Sequence, residues 1–317
     1  MPYVRTYGTY ERIHMNPSEI KRILAGMGQT PNKQLGQNFL IEQAVVRDTI
    51  AAARIQPGEP VLEVGPGLGA LTSALLDAGA KVIAIEKDRA FAERLPAALP
   101  QGDLEVIEAD AAELNWSGII SSFSNQRTER TNEPNALPWK FISNLPYSIT
   151  SLALRKALWN ENPPSIVIVL VQKEVADRAL ALLIPRTAYR VPRSSLLSLM
   201  IALACFSGRI IRKVPPNCFY PAPNVTSALL ELIPMSNEER MKRWGINPEE
   251  VMRIAKIGFA HPRKHLASNL VVDSSVFRAN TKSDVEAMLL SVGAKVHARP
   301  EELSAEQWVE LTKALIG

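Results

Sequence analysis

The chain has 317 residues, a formal net charge of +4, 46% hydrophobic and 21% charged residues, enough for a full core plus a second small domain and ordinary for a soluble globular protein. No apolar run is long enough to span a bilayer, and Met1 to Asn16 is polar and mixed in charge without the apolar core of a signal peptide, so a cytoplasmic protein with no membrane partner is expected. The two cysteines, Cys205 and Cys218, are too few for a disulfide framework and lack the paired spacing of a zinc site, so both read as reduced.

Residues 17–29 carry apolar spacing, a plausible Ser18 cap and a glycine stop, which predicts a short leading helix. The loop Lys33-Gln34-Leu35-Gly36-Gln37-Asn38-Phe39-Leu40 follows, with amides beside an exposed aromatic that can line a ligand's rim, then a helical pattern from Glu42 to Arg54. Loops of this composition also commonly do nothing specific. After the turn Pro57-Gly58-Glu59, a short buried strand Val61 to Val64 runs into Gly65-Pro66-Gly67-Leu68-Gly69, and a helix starts at Ala70. Strand, glycine loop and helix in that order suit a nucleotide-type ligand, because absent Cβ atoms let backbone approach and the helix N-terminus faces the ligand.

The next strand, Lys81 to Ile85, ends on Glu86, an acid placed about twenty residues past the first glycine, where it can hold a ribose diol. Gly65, Gly67 and Ala70 also satisfy a dinucleotide pattern, so a nicotinamide enzyme stays open at this point. A third strand, Leu104 to Ile107, closes on Glu108-Ala109-Asp110. That third carboxylate can accept from the exocyclic amine of an adenine, as in S-adenosylmethionine sites, or simply cap the chain from Ala111 onward.

Ser117 to Pro138 lacks periodicity and reads as a surface insertion. Trp139 to Ser143 is then a fourth buried strand that delivers Asn144-Leu145-Pro146-Tyr147, before a helical pattern from Ile149 to Trp159. An Asn, a proline-stiffened backbone and an aromatic ring at a strand end can hold a flat amine-bearing group, a nucleobase. Standing alone, the same four residues are as well explained by a strand-to-helix turn. A fifth strand, Ser165 to Leu170, leads into the charged helix start Gln172 to Arg178. Strands alternating with helices imply an α/β fold with a parallel sheet, and Gly65, Glu86, Asp110 and Asn144 all fall on its carboxyl edge.

Leu196 to Ala204 reads as an apolar helix, and Ile210-Ile211 with Val225 to Ile233 as two closing strands. Between the strands, Val214 to Pro223 is a proline-stiffened loop displaying Phe219 and Tyr220, and Phe219 is a candidate second face for a flipped base. From Arg178 to Leu230 there are seven basic residues and no acid, which suits a polyanion as well as a solvated basic face. After Pro234 only helices are predicted, over Pro248 to Phe259, Arg263 to Leu270, Lys282 to Val292 and Glu301 to Ile316. The expected organisation is an N-terminal extension over 1–32, a catalytic domain over 33–234 with its insertion near 117–138, and a helical domain over 235–317.

Together these marks resemble the ribosomal RNA adenine dimethyltransferases of the small-subunit type, a widespread bacterial family with archaeal and eukaryotic relatives. The match runs from about Lys33 to the C-terminus. It rests on Gly36-Gln37-Asn38-Phe39-Leu40, Glu63-Val64-Gly65-Pro66-Gly67-Leu68-Gly69, Asn144-Leu145-Pro146-Tyr147, Gln172-Lys173-Glu174-Val175, Pro215-Pro216-Asn217-Cys218-Phe219 with Pro223-Asn224-Val225, and Arg263-Lys264-His265-Leu266. The resemblance implies a Rossmann-like class I methyltransferase sheet with a small all-helical C-terminal domain that binds rRNA. It also implies S-adenosylmethionine as cofactor and a monomer that needs no metal. Its substrate would be two neighbouring adenosines in a hairpin loop near the 3′ end of small-subunit rRNA, each dimethylated on N6 in the immature subunit.

By the same resemblance, Gln37, Asn38, Leu40, Gly65, Gly67, Glu86, Asp110 and Asn144 would contact the cofactor. Asn144 with Leu145 would accept from the target amine, Pro146 would stiffen that turn, and Tyr147 and Phe219 would sandwich the base. The chain departs from the family's pattern at Leu152, where a proline is usual, at Tyr189 to Ser195, and at His261-Pro262. The rim facing RNA is therefore expected to differ. Rival readings are the large-subunit rRNA adenine methyltransferase of the macrolide-resistance type and a ribosome assembly factor with secondary or lost catalysis. A dehydrogenase is disfavoured because the four histidines, His14, His261, His265 and His297, lie outside the sheet edge.

Overall fold

The computed structural model describes residues 15–32, 36–100, 102–121, 138–184, 193–271 and 281–317. In chain order it contains α1 (Pro17–Gly26), β1 (Phe39–Leu40), α2 (Gln43–Ala53), β2 (Pro60–Val64), α3 (Ala70–Asp77), β3 (Lys81–Glu86), α4 (Arg89–Ala98) and β4 (Leu104–Glu108). Then come α5, described over 116–121, β5 (Lys140–Asn144), α6 (Thr150–Leu158), β6 (Ile166–Gln172), α7 (Lys173–Leu180), α8 (Leu196–Ala204), β7 (Cys205–Val214), β8 (Phe219–Tyr220) and β9 (Ser227–Pro234). The helices α9 (Asn237–Trp244), α10 (Pro248–Gly258), α11 (Leu266–Leu270), α12 (Lys282–Ser291) and α13 (Ala305–Ile316) complete it. None of the described helices is long and apolar enough to cross a membrane.

One sheet has the order β4-β3-β2-β5-β6-β9-β7. The neighbours from β4 to β6 pair in parallel, and β9 runs antiparallel to β6. The chain winds outward from β2 through β3 to β4 and returns to lay β5 beside β2. That reversal makes a crevice between the carboxyl ends of β2 and β5, the place where such sheets bind ligands. The central strands are mostly apolar, as expected for a parallel sheet covered on its faces; β2 and β6 are buried along nearly their whole length. Lys140, at the amino end of β5, is buried as well, and its ammonium is compensated by Glu59 at 2.7 Å and by the carbonyls of Ala53 and Arg54 at 2.7 and 2.8 Å.

Several local expectations change. The cap of α1 is Asn16, not Ser18: its side chain accepts from Glu19 N at 2.9 Å and Glu19 answers at Asn16 N, a capping box. Phe39 is not exposed but buried in β1, which pairs with β8, Phe39 opposite Tyr220 and Leu40 opposite Phe219. The helix α4, which no sequence expectation assigned, holds Pro96 within it, is capped by Asp88 and buries Phe91, Ala92 and Leu95. Irregular chain does not start at Ser117, since 116–121 is helical with Trp116 and Ile120 buried; residues 122–137 of the expected insertion lie outside the described residues, as do 1–14 and 33–35.

By their contacts the residues form two units, one up to Asn160 with Pro164–Lys173 and Arg209–Leu232, the other Glu161–Pro163, Glu174–Gly208 and Ile233–Gly317. A single cut at 234 is therefore not where the contacts divide. The reason lies in α8, seven of whose nine residues are buried; a helix apolar all round must be covered on several sides, and α9, α10 and α13 supply that cover within the second unit.

The basic run also looks different in space. Arg178 pairs with Glu174 at 3.9 Å, Arg193 with Glu301 at 2.9 Å, Arg209 with Glu231 at 2.7 Å, and Arg212 with Asp48. Arg186, Arg190 and residues 189–192 of the altered segment lie outside the described residues.

Candidate active site at the carboxyl edge of the sheet

The main pocket sits at the crevice between β2 and β5, wholly within the first unit. Its floor is the loop after β2, where Gly65, Gly67 and Gly69 have φ of +70°, +55° and +89°. A Cβ on Gly65 would stand 3.2 Å from the Pro146 ring, and one on Gly67 3.3 Å from the Phe39 ring. Positive φ and these close approaches together explain why glycine occupies both positions.

Glu86, at the end of β3, is buried, and its carboxylate accepts from Gly67 N at 3.0 Å and Asp88 N at 2.8 Å. Burial raises its pKa, and the two backbone donors oppose the shift. The glycine loop and the acid are thus tied into one surface. Asp110 follows β4; Lys87 Nζ lies 2.7 Å from one oxygen and Ala112 N donates to the other at 2.8 Å, which lowers its pKa. The capping role and a place on the pocket wall coincide. Lys156, on α6, donates to the carbonyls of Ala112 at 2.6 Å and Leu114 at 2.7 Å, so the helix behind Tyr147 braces the turn that presents Asp110.

Asn144 is the last residue of β5, and its Nδ2 donates to Asn38 O at 3.3 Å. The amide oxygen is left as an acceptor. Gln37 is held by Asn32 N at 2.8 Å and by Asp88 at 3.0 Å, and Asn38 donates to Gly36 O at 3.0 Å. Both side chains thus shape the rim through their own protein partners. Gln37, Asn38, Leu40, Gly65, Gly67, Glu86, Asp110, Asn144, Leu145, Pro146 and Tyr147 all line the pocket. Phe219 does not: it is 3% exposed, opposite Leu40 in the β1–β8 pair.

Glu63 and Met15 are among the lining residues to which sequence reasoning gave no site role. Glu63, buried within β2, accepts from Thr72 Oγ1 at 2.7 Å, and burial pushes its pKa up to about 8, so it carries its proton at neutral pH. Met15 is 2% exposed and packs with Ile20, Leu24, Phe39, Leu68 and Phe91. A signal for it exists, because Met15 directly precedes the Asn16 cap and Ile20 stands at the fourth helical position, the pattern of a hydrophobic staple.

The sequence matches the ribosomal RNA adenine dimethylase family over residues 28–289. The chain belongs to this family. It is 34% identical over 297 residues to the ribosomal RNA small subunit methyltransferase A of Protochlamydia amoebophila, covering 93% of this chain and 95% of that one. It is also 34% identical over 303 residues to the protein of the same name from Streptomyces avermitilis, covering 94% and 93%. Among solved structures it resembles a 23S rRNA methyltransferase, ErmE, with a TM-score of 0.58 at 26% identity over 88% of this chain and 99% of that one. A dimethyladenosine transferase from Plasmodium falciparum, with a TM-score of 0.62 at 24% identity over 86% and 95%, shares the fold. The α/β sheet described above is that of class I methyltransferases.

The pocket's donor set fits a methyl-donor nucleoside. Bare backbone at Gly65 and Gly67 leaves room that a Cβ would fill, and buried Glu86 and partly exposed Asp110 provide acceptors at two separate strand ends.

Proposed function

We propose that the chain dimethylates N6 of two neighbouring adenosines in a hairpin loop near the 3′ end of small-subunit rRNA, acting as a cytoplasmic monomer on the immature small subunit with S-adenosylmethionine as methyl donor. Family membership supports an rRNA adenine as the target. Similarity along more than nine-tenths of both chains to relatives named for the small subunit favours that subunit over the large one.

The observation that carries the catalytic reading is the anchoring of Asn144. With Nδ2 committed to Asn38 O, its oxygen can accept one hydrogen of the target amine while the Leu145 carbonyl accepts the other. Two acceptors draw the nitrogen away from planarity and return its lone pair from the ring. Pro146, with φ of −54°, stiffens the turn, and Tyr147 offers a face for the base. Base–aromatic stacking is worth about 1–3 kcal/mol. Gly65, Gly67, Glu86 and Asp110, with the rim residues Gln37, Asn38 and Leu40, would hold the donor, which supplies a methyl already activated by positive sulfur. Neither amide oxygen is basic enough to keep a proton, so the amine proton passes to water after transfer. Alignment is then the main source of acceleration. Phe219 would reach a base only if the β1–β8 pair rearranged on RNA binding.

The test is transfer of labelled methyl to unmethylated small subunits, large subunits and DNA, followed by digestion to nucleosides. Label in dimethyladenosine from small subunits supports the proposal. Label from large subunits favours the macrolide-resistance type, and tight binding without transfer favours an assembly factor.

A further inference from the structure

Tyr147 is more than a ring on a turn. It opens a short 3-10 segment, Tyr147–Ile149, and on its own two side-chain torsions would let the ring swing. Its hydroxyl, however, lies 2.7 Å from Ser227 Oγ, and either oxygen can donate. The phenol is half-buried and desolvation raises its pKa, so it keeps its proton and both roles remain open.

Ser227 is fully buried at the first position of β9. There it stands opposite Gln172 of β6, and the adjoining Thr226 carbonyl accepts from Lys173 N at 2.9 Å. Asn144 stands opposite Leu170 of the same strand, and Leu145 N donates to the Leu170 carbonyl at 3.2 Å. The amide oxygen and the far end of the tyrosine are thus both registered by β6, at partners two residues apart. One rigid strand sets the distance and angle between the acceptor and the ring. Ser227 itself lies outside the pocket wall.

We propose that Ser227 is a positioning residue for methyl transfer: its hydroxyl holds the Tyr147 ring in the plane against which the target adenine stacks, while Asn144 takes the amine. This rests on the role given to Tyr147 above. A serine suits the place, since alanine offers no hydrogen bond and a larger side chain has no room at a fully buried strand position.

The test is a double-mutant cycle in the full chain with Ser227→Ala, Tyr147→Phe and the pair, and with Tyr147→Ala as control. The assay is methyl transfer to unmethylated small subunits, and kcat and the KM of each substrate are read separately. Loss of one neutral hydrogen bond predicts roughly a three- to tenfold fall in kcat for each single variant, with the KM for S-adenosylmethionine unchanged. The pair should be no slower than Tyr147→Phe alone, because once the phenol oxygen is gone Ser227 has nothing to hold.

A Ser227→Ala penalty of equal size in both backgrounds would show an independent packing role and overturn the proposal. Full activity of Tyr147→Phe would overturn it even if Ser227→Ala failed to fold. Full activity of Tyr147→Ala would remove the stacking role itself and this inference with it. An inactive Tyr147→Ala beside a fully active Ser227→Ala would leave the stacking role standing and overturn the positioning role alone.

Discussion

The carboxyl edge of the sheet and the basic run from Arg178 to Lys213 behave in opposite ways. At the sheet edge, residues far apart in the chain converge: Gly65 meets the Pro146 ring and Asn144 meets Asn38. In the basic run, a stretch of seven cations without an acid, four of the described arginines turn out to stand in separate pairs. Glu174 and Glu231 stand just outside that stretch, and Asp48 and Glu301 come from far away in the chain. The lesson is that a strand end dictates where its residue goes, whereas a linear count of charge does not say which charges remain available to a polyanion.

The largest effect that would test this contrast is at Asn144. Asn144→Ala should lower single-turnover methyl transfer by roughly 10²–10³-fold while S-adenosylmethionine affinity, read by calorimetry, falls only modestly. Transfer at the normal rate would remove the sheet edge from the chemistry. Next is Gly65→Ala, which forces a side chain into φ of +70° and against Pro146. It should cost about 2 kcal/mol in urea unfolding and weaken cofactor binding; an unchanged midpoint would show that the loop relaxes freely.

A subtler effect follows from Glu63. Its folded pKa, raised to about 8, exceeds that of an unfolded glutamate, so the folded state binds more protons between those two values. Stability should therefore be greatest below the unfolded pKa and decline as pH rises toward 8, where the carboxyl ionises in place. Glu63→Gln should flatten that part of the profile, measured by thermal unfolding across pH. An identical slope in the variant would assign it to another group.

The smallest effect belongs to the basic run. If the Arg209–Glu231 pair persists in the complex, Arg209→Ala should leave the salt dependence of rRNA binding unchanged. A fall of about 0.7 in the logarithmic slope would mean that Arg209 leaves Glu231 for a phosphate, and the contrast between the two regions would weaken.

Much of the fold was legible because it is local. Alternating strand and helix periods placed β2 to β6 within a residue or two, the glycine loop announced its turn, and α8 was delimited correctly at Leu196 and Ala204. The acids at the ends of β3 and β4 and Asn144 at the end of β5 were legible for the same reason, since a parallel strand carries its C-terminal residue to a known edge. What remained hidden depends on partners distant in the chain. Phe219 read as displayed because it lies between prolines, but pairing with Leu40 buries it. Met15 and Glu63 became pocket residues only when α1 folded over Phe91 and Leu68 and when β2 was enclosed. Ser227 gave no sign of its link to Tyr147, eighty residues earlier.

The amino-acid sequence alone determined the family, the sheet and the edge where the candidate site residues converge, because period, turn chemistry and motif spacing act over a few residues. Only the tertiary structure decided which aromatics are buried, which cations are neutralised and how the Tyr147 ring is held. Burial, ion pairing and hydrogen bonding are set by whichever side chain the fold brings within a few ångströms, and no local pattern specifies that neighbour.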